Sequence, residues 1–122
     1  MQNTQKNFYK KLLGGIGEKK AEKYLKKNKY VILAKNYTTH FGEIDIIAKS
    51  KEEEIVFIEV KTRKDDYFGR PSEAVNKIKQ EKYVLVAKEY LLKTKNQEAK
   101  CRFDVIEVEN GKINHIIDAF WC

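Results

Sequence analysis

The sequence predicts an α/β fold, with a mixed sheet sandwiched by helices. Three observations carry that expectation. Two Ile/Val-rich runs, Ile44-Asp45-Ile46-Ile47-Ala48 and Ile55-Val56-Phe57-Ile58-Glu59-Val60, flank a short charged loop and read as a hairpin. A helical pattern over residues 72–94 separates that hairpin from an alternating run, 101–109. Asn110-Gly111 then marks a second hairpin. A strand–helix–strand unit crosses over right-handed and leaves a parallel pair inside an otherwise antiparallel sheet.

In chain order, residues 1–7 are polar and expected to fray. Tyr9, Leu12, Leu13 and Ile16, then Ala21, Tyr24 and Leu25, follow helical spacing, interrupted by Gly14, Gly15 and Gly17. The main helix is expected over residues 16–28. Glu18 shares a stripe with Ala21 and Leu25, at the margin of the buried face; on helix logic alone it also reads as a first-turn glutamate favoured by the helix dipole. Residues 30–36 form the first strand, residues 37–41 a connection, and Gly42 opens the hairpin.

The hairpin holds an anomaly. Asp45 and Glu59 lie inside apolar runs, where an unpaired carboxylate is costly to bury. A loop of residues 50–54 pairs Lys49 with Ile55. That register sets Asp45 opposite Glu59 and Glu43 opposite Lys61, with directly opposed Cβ atoms about 4.5–5.5 Å apart. Two carboxylates so close repel unless a cation lies between them. The bland alternative is a solvated sheet face with a cross-strand Glu–Lys pair.

Beyond Arg63, residues 64–70 form a polar loop containing Tyr67 and Phe68, punctuated by Gly69 and Pro71. Ser72 is an N-cap for a helix reaching about residue 94, with Ala74, Val75, Ile78, Leu85, Val86 and Tyr90 directed to the core. In residues 101–109, Phe103, Val105 and Glu107 fall on one side, and Asp104, Ile106 and Val108 on the other.

The 122 residues suit one domain able to bury a core without staples. A hydrophobic fraction of 42% excludes a disordered chain. No apolar run approaches the roughly 20 residues of a membrane span, and no signal peptide is evident, so a cytoplasmic protein without a membrane partner is expected. Cys101 and Cys122 lack zinc-site spacing with His40 or His115 and read as structural. The formal net charge is +7, mostly from lysine, since arginine occurs only at Arg63, Arg70 and Arg102. Such a surface suits a polyanion held by salt-sensitive phosphate contacts.

An N-terminal helical glutamate, an acid on one strand and Glu-Val-Lys on the next resemble the PD-(D/E)xK nuclease superfamily. More closely, the chain is similar to the YraN-like family of small bacterial proteins. The similarity rests on Gly17-Glu18, Ala21, Tyr24-Leu25, Asn36, Gly42-Glu43-Ile44-Asp45, Phe57, Glu59-Val60-Lys61, Arg63, Gly69, Pro71, Ala74-Val75, Lys79 and Arg102-Phe103-Asp104. Ile44 stands where the superfamily name places proline. The helical Gln-x-x-x-Tyr pattern of some relatives is absent, since Val84 stands four positions after Gln80.

The resemblance implies a restriction-endonuclease-like three-layer sandwich and a metal-dependent endonuclease acting on structured or branched DNA, closest to Holliday-junction-resolvase-like members. Asp45, Glu59 and Glu18 would ligate Mg²⁺ or Mn²⁺. Lys61 would orient the attacking water and offset transition-state charge; two neighbouring carboxylates should keep it protonated rather than let it act as a base. Arg63, Arg70, Lys77 and Lys79 would contact nucleic acid, and junction cleavage would call for a two-fold homodimer. The competing expectations are a catalytically silent nucleic-acid-binding module of the same fold, and a contact-making subunit of a DNA-processing complex.

Overall fold

The computed structural model describes residues 4–63 and 77–120, with only the backbone described for residues 4–13 and Arg63. The elements run α1 (Thr4–Lys27), β1 (Val31–Thr39), β2 (Gly42–Lys49), β3 (Ile55–Arg63), α2 (Lys77–Lys93), β4 (Cys101–Glu109) and β5 (Lys112–Phe120). The five strands form one sheet in sequential order. β3 and β4 are parallel, joined through α2, and every other neighbouring pair is antiparallel. This is the expected mixed α/β sheet.

The helices cover opposite faces. Ala21 and Leu25 of α1 pack on Ile46, Ala48, Val56, Ile58, Ile106 and Val108. Tyr83, Val86, Ala87 and Tyr90 of α2 pack on Ile44, Ile47, Ile55, Phe57, Phe103 and Val105. The central strands are therefore buried on both sides, from Ile55 to Val60 and from Phe103 to Val108, which is why they read as near-continuous apolar runs. The edge strand β1 alternates instead.

Several local expectations shift. α1 runs unbroken through its glycines, beginning at Thr4. A Cβ at Gly14 or Gly15 would meet nothing, whereas one at Gly17 would collide with the Thr62 hydroxyl. Gly17 thus lets α1 approach β3 closely, one residue before Glu18. The helix ends on Lys29 in the left-handed region (φ 72°). There Tyr30 N–H donates to Leu25 C=O at 2.9 Å, closing the last turn. β1 continues to Thr39, further than expected. Ile78 and Leu85, expected in the core, are 67% and 41% exposed. α2 buries the stripe through Tyr83, Val86, Ala87 and Tyr90, so both residues fall outside it. Ser72, Ala74 and Val75 lie outside the described residues. The Asn110-Gly111 turn has both φ angles positive, 52° and 79°, as a two-residue type I′ hairpin requires.

Candidate functional site

The site forms where β2 and β3 part. Their ladder pairs Lys49 with Ile55, as the loop length predicted, and continues to Ile46–Ile58. There it stops. Asp45 does not enter the ladder; its Oδ2 accepts the Val60 N–H at 2.8 Å. Glu43 pairs with Thr38 of β1 instead of facing Lys61 across a β2–β3 ladder. The strands splay, and the gap between them receives the acids.

Glu59 is 6% exposed. Its Oε2 lies 3.2 Å from Lys61 Nζ and 3.0 Å from Lys79 Nζ. Its Oε1 accepts from the Tyr83 hydroxyl. Asp45 is pushed up to about 8, first by burial and then by the charge of Glu59, with the Val60 N–H opposing the rise. Glu18 is also raised, by burial and by Glu43, while hydrogen bonding with Asp45 and Asn36 works against the shift. α1 therefore brings Glu18 beside Asp45. Asp45 and Glu18 rise because each lies in a poorly solvated place beside other carboxylates.

The lysines divide. Lys61 is lowered, first by burial and then by the adjacent Lys79 ammonium, against the attraction of Glu59. A second lysine competes for the same oxygen of Glu59. Lys79 is raised; burial works against this, but the charge of Glu59 prevails.

A cavity of about 530 Å³ opens over the acids, lined by Gly42, Glu43, Asp45, Glu59, Ile78, Lys79, Lys82 and Tyr83. Among the described residues, no three His, Cys, Asp or Glu side chains converge to encircle an ion. A Mg²⁺-like cation does not need such a cage. It is commonly held by one or two carboxylates, with water and substrate phosphate completing its shell. Asp45 and Glu59, hard-oxygen donors whose mutual repulsion a cation would relieve, fit that mode, with Glu18 beside them.

Lys79 was read from sequence as a nucleic-acid contact, and Tyr83 was not singled out. Both touch Glu59. A signal existed: Lys79-x-x-x-Tyr83 has the i, i+4 spacing that presents two side chains on one helix face. It lies one position before the Gln80-x-x-x-Val84 that fails the relatives' pattern. Lys77 is exposed at the start of α2. The Arg63 backbone pairs with Glu109 at the end of β3. The Arg63 side chain and all of Arg70, Tyr67 and Phe68 lie outside what is described.

Arg102 and Asp104, which belong to the same sequence pattern, go to the opposite face. Asp104 is fully buried. It accepts from Arg102 Nε at 3.0 Å and from Asp118 N–H at 2.9 Å, and its Oδ2 lies 2.6 Å from His115 Nε2. The Tyr24 hydroxyl lies 3.0 Å from His115 Nδ1.

The family model described as "Uncharacterised protein family UPF0102" matches residues 17–108. The chain belongs to the UPF0102 family. A UPF0102 protein of Caldanaerobacter subterraneus is 46% identical over 122 residues, covering 94% of this chain and 99% of the relative. One from Clostridioides difficile is 48% identical over 109 residues, covering 88% of this chain and 95% of the relative. A third, from Thermodesulfovibrio yellowstonii, is 50% identical over 109 residues, covering 89% and 96%. The UPF0102 match bears out the YraN-like resemblance and spans Glu18, Asp45, Glu59, Lys61, Lys79 and Tyr83. No helix among the described residues is long and apolar enough to cross a membrane.

Proposed function

We propose that this UPF0102 chain is a metal-dependent phosphodiesterase, a PD-(D/E)xK-type endonuclease that cuts structured or branched DNA. The observation that carries the reading is the placement of Asp45 and Glu59 in the splay between β2 and β3, beneath an open cavity, with two lysines on Glu59. Such a constellation leaves Asp45 poorly compensated, which a folded domain has no structural need to do.

A Mg²⁺ or Mn²⁺ ion held by Asp45 and Glu59, with Glu18 nearby, would supply charge stabilisation at the phosphate and acidify water. The side chains then divide the remaining work. Lys61 orients the attacking water and offsets transition-state charge from its place beside Glu59, and the water's proton passes to solvent. As the water oxygen bonds to phosphorus, the P–O bond to the leaving sugar oxygen breaks, and solvent protonates that oxygen. Lys79, held in its charged form, offsets charge growing on the phosphate oxygens. Tyr83 fixes Glu59 through its other oxygen. The basic surface around Lys77 and Lys82 brings in the phosphate backbone without reading sequence.

The test is Mg²⁺- and Mn²⁺-dependent cleavage of duplex, nicked, flapped and four-way-junction DNA and of single-stranded RNA. Asp45→Ala and Lys61→Ala should each lose about 10²–10³-fold in rate with unchanged circular dichroism. One observation favours a second reading, the catalytically silent binding module: Glu59 is already neutralised by two ammonium groups, and among the described residues no three ligands converge. A wild type that binds DNA in a salt-dependent way and cuts none of the panel would establish that module instead.

A further inference from the structure

We propose that Glu107 is a positioning residue for Lys61, receiving its ammonium when Glu59 turns to a divalent cation. The inference rests on the cation reading of the Asp45–Glu59 site. It starts from an imbalance between neighbouring strands. On β3, one oxygen of Glu59 carries two ammonium groups. On β4, the buried Oε2 of Glu107 has no hydrogen-bond partner. Glu107 is only 9% exposed, so water does little to solvate that oxygen.

The register connects the two. Lys61 and Glu107 are lateral partners in the parallel β3–β4 ladder. Neighbouring strands lie about 4.8 Å apart, and paired residues point to the same face. A lysine stem reaches the carboxylate beside it by rotating about its own side-chain bonds, with no backbone movement. Glu107 is held ready, because Asn114 Nδ2 donates to its Oε1 at 2.8 Å. That bond leaves Oε2 as the oxygen available to Lys61.

A divalent cation on Glu59 Oε2 would repel both ammonium groups already there. Lys79 comes from a helix at the cavity mouth and can turn outward to solvent or phosphate. The Lys61 side chain is 24% exposed and set into the sheet. Glu107 gives it a second anionic partner that keeps it beside the reacting phosphate. Lys61 thus alternates between two carboxylates, and the unpartnered Oε2 of Glu107 is the second end of that exchange.

The test is Mn²⁺ binding to the DNA-free protein by calorimetry, across a double-mutant cycle of Glu107→Gln and Lys61→Met. Glutamine preserves the Asn114 hydrogen bond and removes the charge. Glu107→Gln should weaken Mn²⁺ about tenfold when Lys61 is present and less than twofold in the Lys61→Met background. Equal weakening in both backgrounds would overturn the proposal by making Glu107 a ligand or a distant charge, and no weakening in either would remove it from the site. If the variants fail to fold, a crystal structure of the wild type with Mn²⁺ decides. Lys61 Nζ within about 3.2 Å of Glu107 supports the exchange, and Lys61 still on Glu59 overturns it. A wild type that binds no Mn²⁺ refutes the cation reading itself, and this inference with it.

Discussion

Two aspartates, one fully buried under α1 and one half-buried at the cavity beside α2, meet the same problem in opposite ways. Asp104, on the α1 face, has no exposed surface. Burial works to raise it, yet His115, Arg102 and the Asp118 N–H outweigh burial and bring it below the usual carboxylate range. Arg102 is itself anchored, donating to the Tyr30 hydroxyl at 2.7 Å and ion-paired with Glu54. With the His115 proton on Nε2, the ring donates to Asp104 and accepts from Tyr24. Asp45, on the α2 face, has one backbone N–H and a carboxylate for a neighbour, and it rises to about 8. A charge network that satisfies its members serves the fold. One that leaves them short is held in place by the fold and is free to serve chemistry.

The largest effect that could break this comparison lies on the satisfied side. Asp104→Ala removes the buried carboxylate on which Arg102, His115 and the Asp118 N–H converge, and should cost about 3–5 kcal/mol in urea unfolding. A loss below about 1 kcal/mol would mean the network is not structural. Its pH signature follows from the lowered value: the stability from Asp104 is complete above the unfolded carboxylate value near 4 and fades as pH falls through the lower folded value.

Asp45→Asn should act in the opposite direction. The wild-type carboxyl holds its proton more tightly folded than unfolded, so its contribution favours the folded state in acid and is lost as pH rises from about 4 to about 8. Asparagine removes that penalty and keeps an acceptor for the Val60 N–H. Without divalent cations, the variant should be more stable than wild type by about 1–3 kcal/mol at pH 9 and nearly equal to it at pH 4.5. A variant less stable at pH 9 would show that the Asp45 charge is compensated after all. The smallest effect sharpens the division. Tyr24→Phe removes one hydrogen bond to His115 and should cost about 1 kcal/mol, leaving Mn²⁺ affinity unchanged.

Much of this was legible along the chain. The hairpin register followed from loop length and alternation, and Lys49 does pair with Ile55. The acids stood out because they interrupted apolar runs, and the Asn110-Gly111 turn required its own backbone conformation. What failed to show was contact between elements distant in sequence. Lys79 read as one of several lysines available to nucleic acid, and Tyr83 was not singled out. Only helix packing on the sheet turns both toward Glu59. Ile78 and Leu85 were misplaced because an apolar residue announces a preference for burial, not which stripe of its helix meets the sheet.

By itself the sequence determined the order and type of the elements, the β2–β3 register and the identity of the acids, because periodicity and turn chemistry act over a few residues. Only the tertiary structure decided where the β2–β3 ladder ends, that two lysines share one oxygen of Glu59, that Glu107 lies beside Lys61, and that Asp104 is satisfied while Asp45 is not. These depend on which charges meet across strands and helices, and on how much water is left between them.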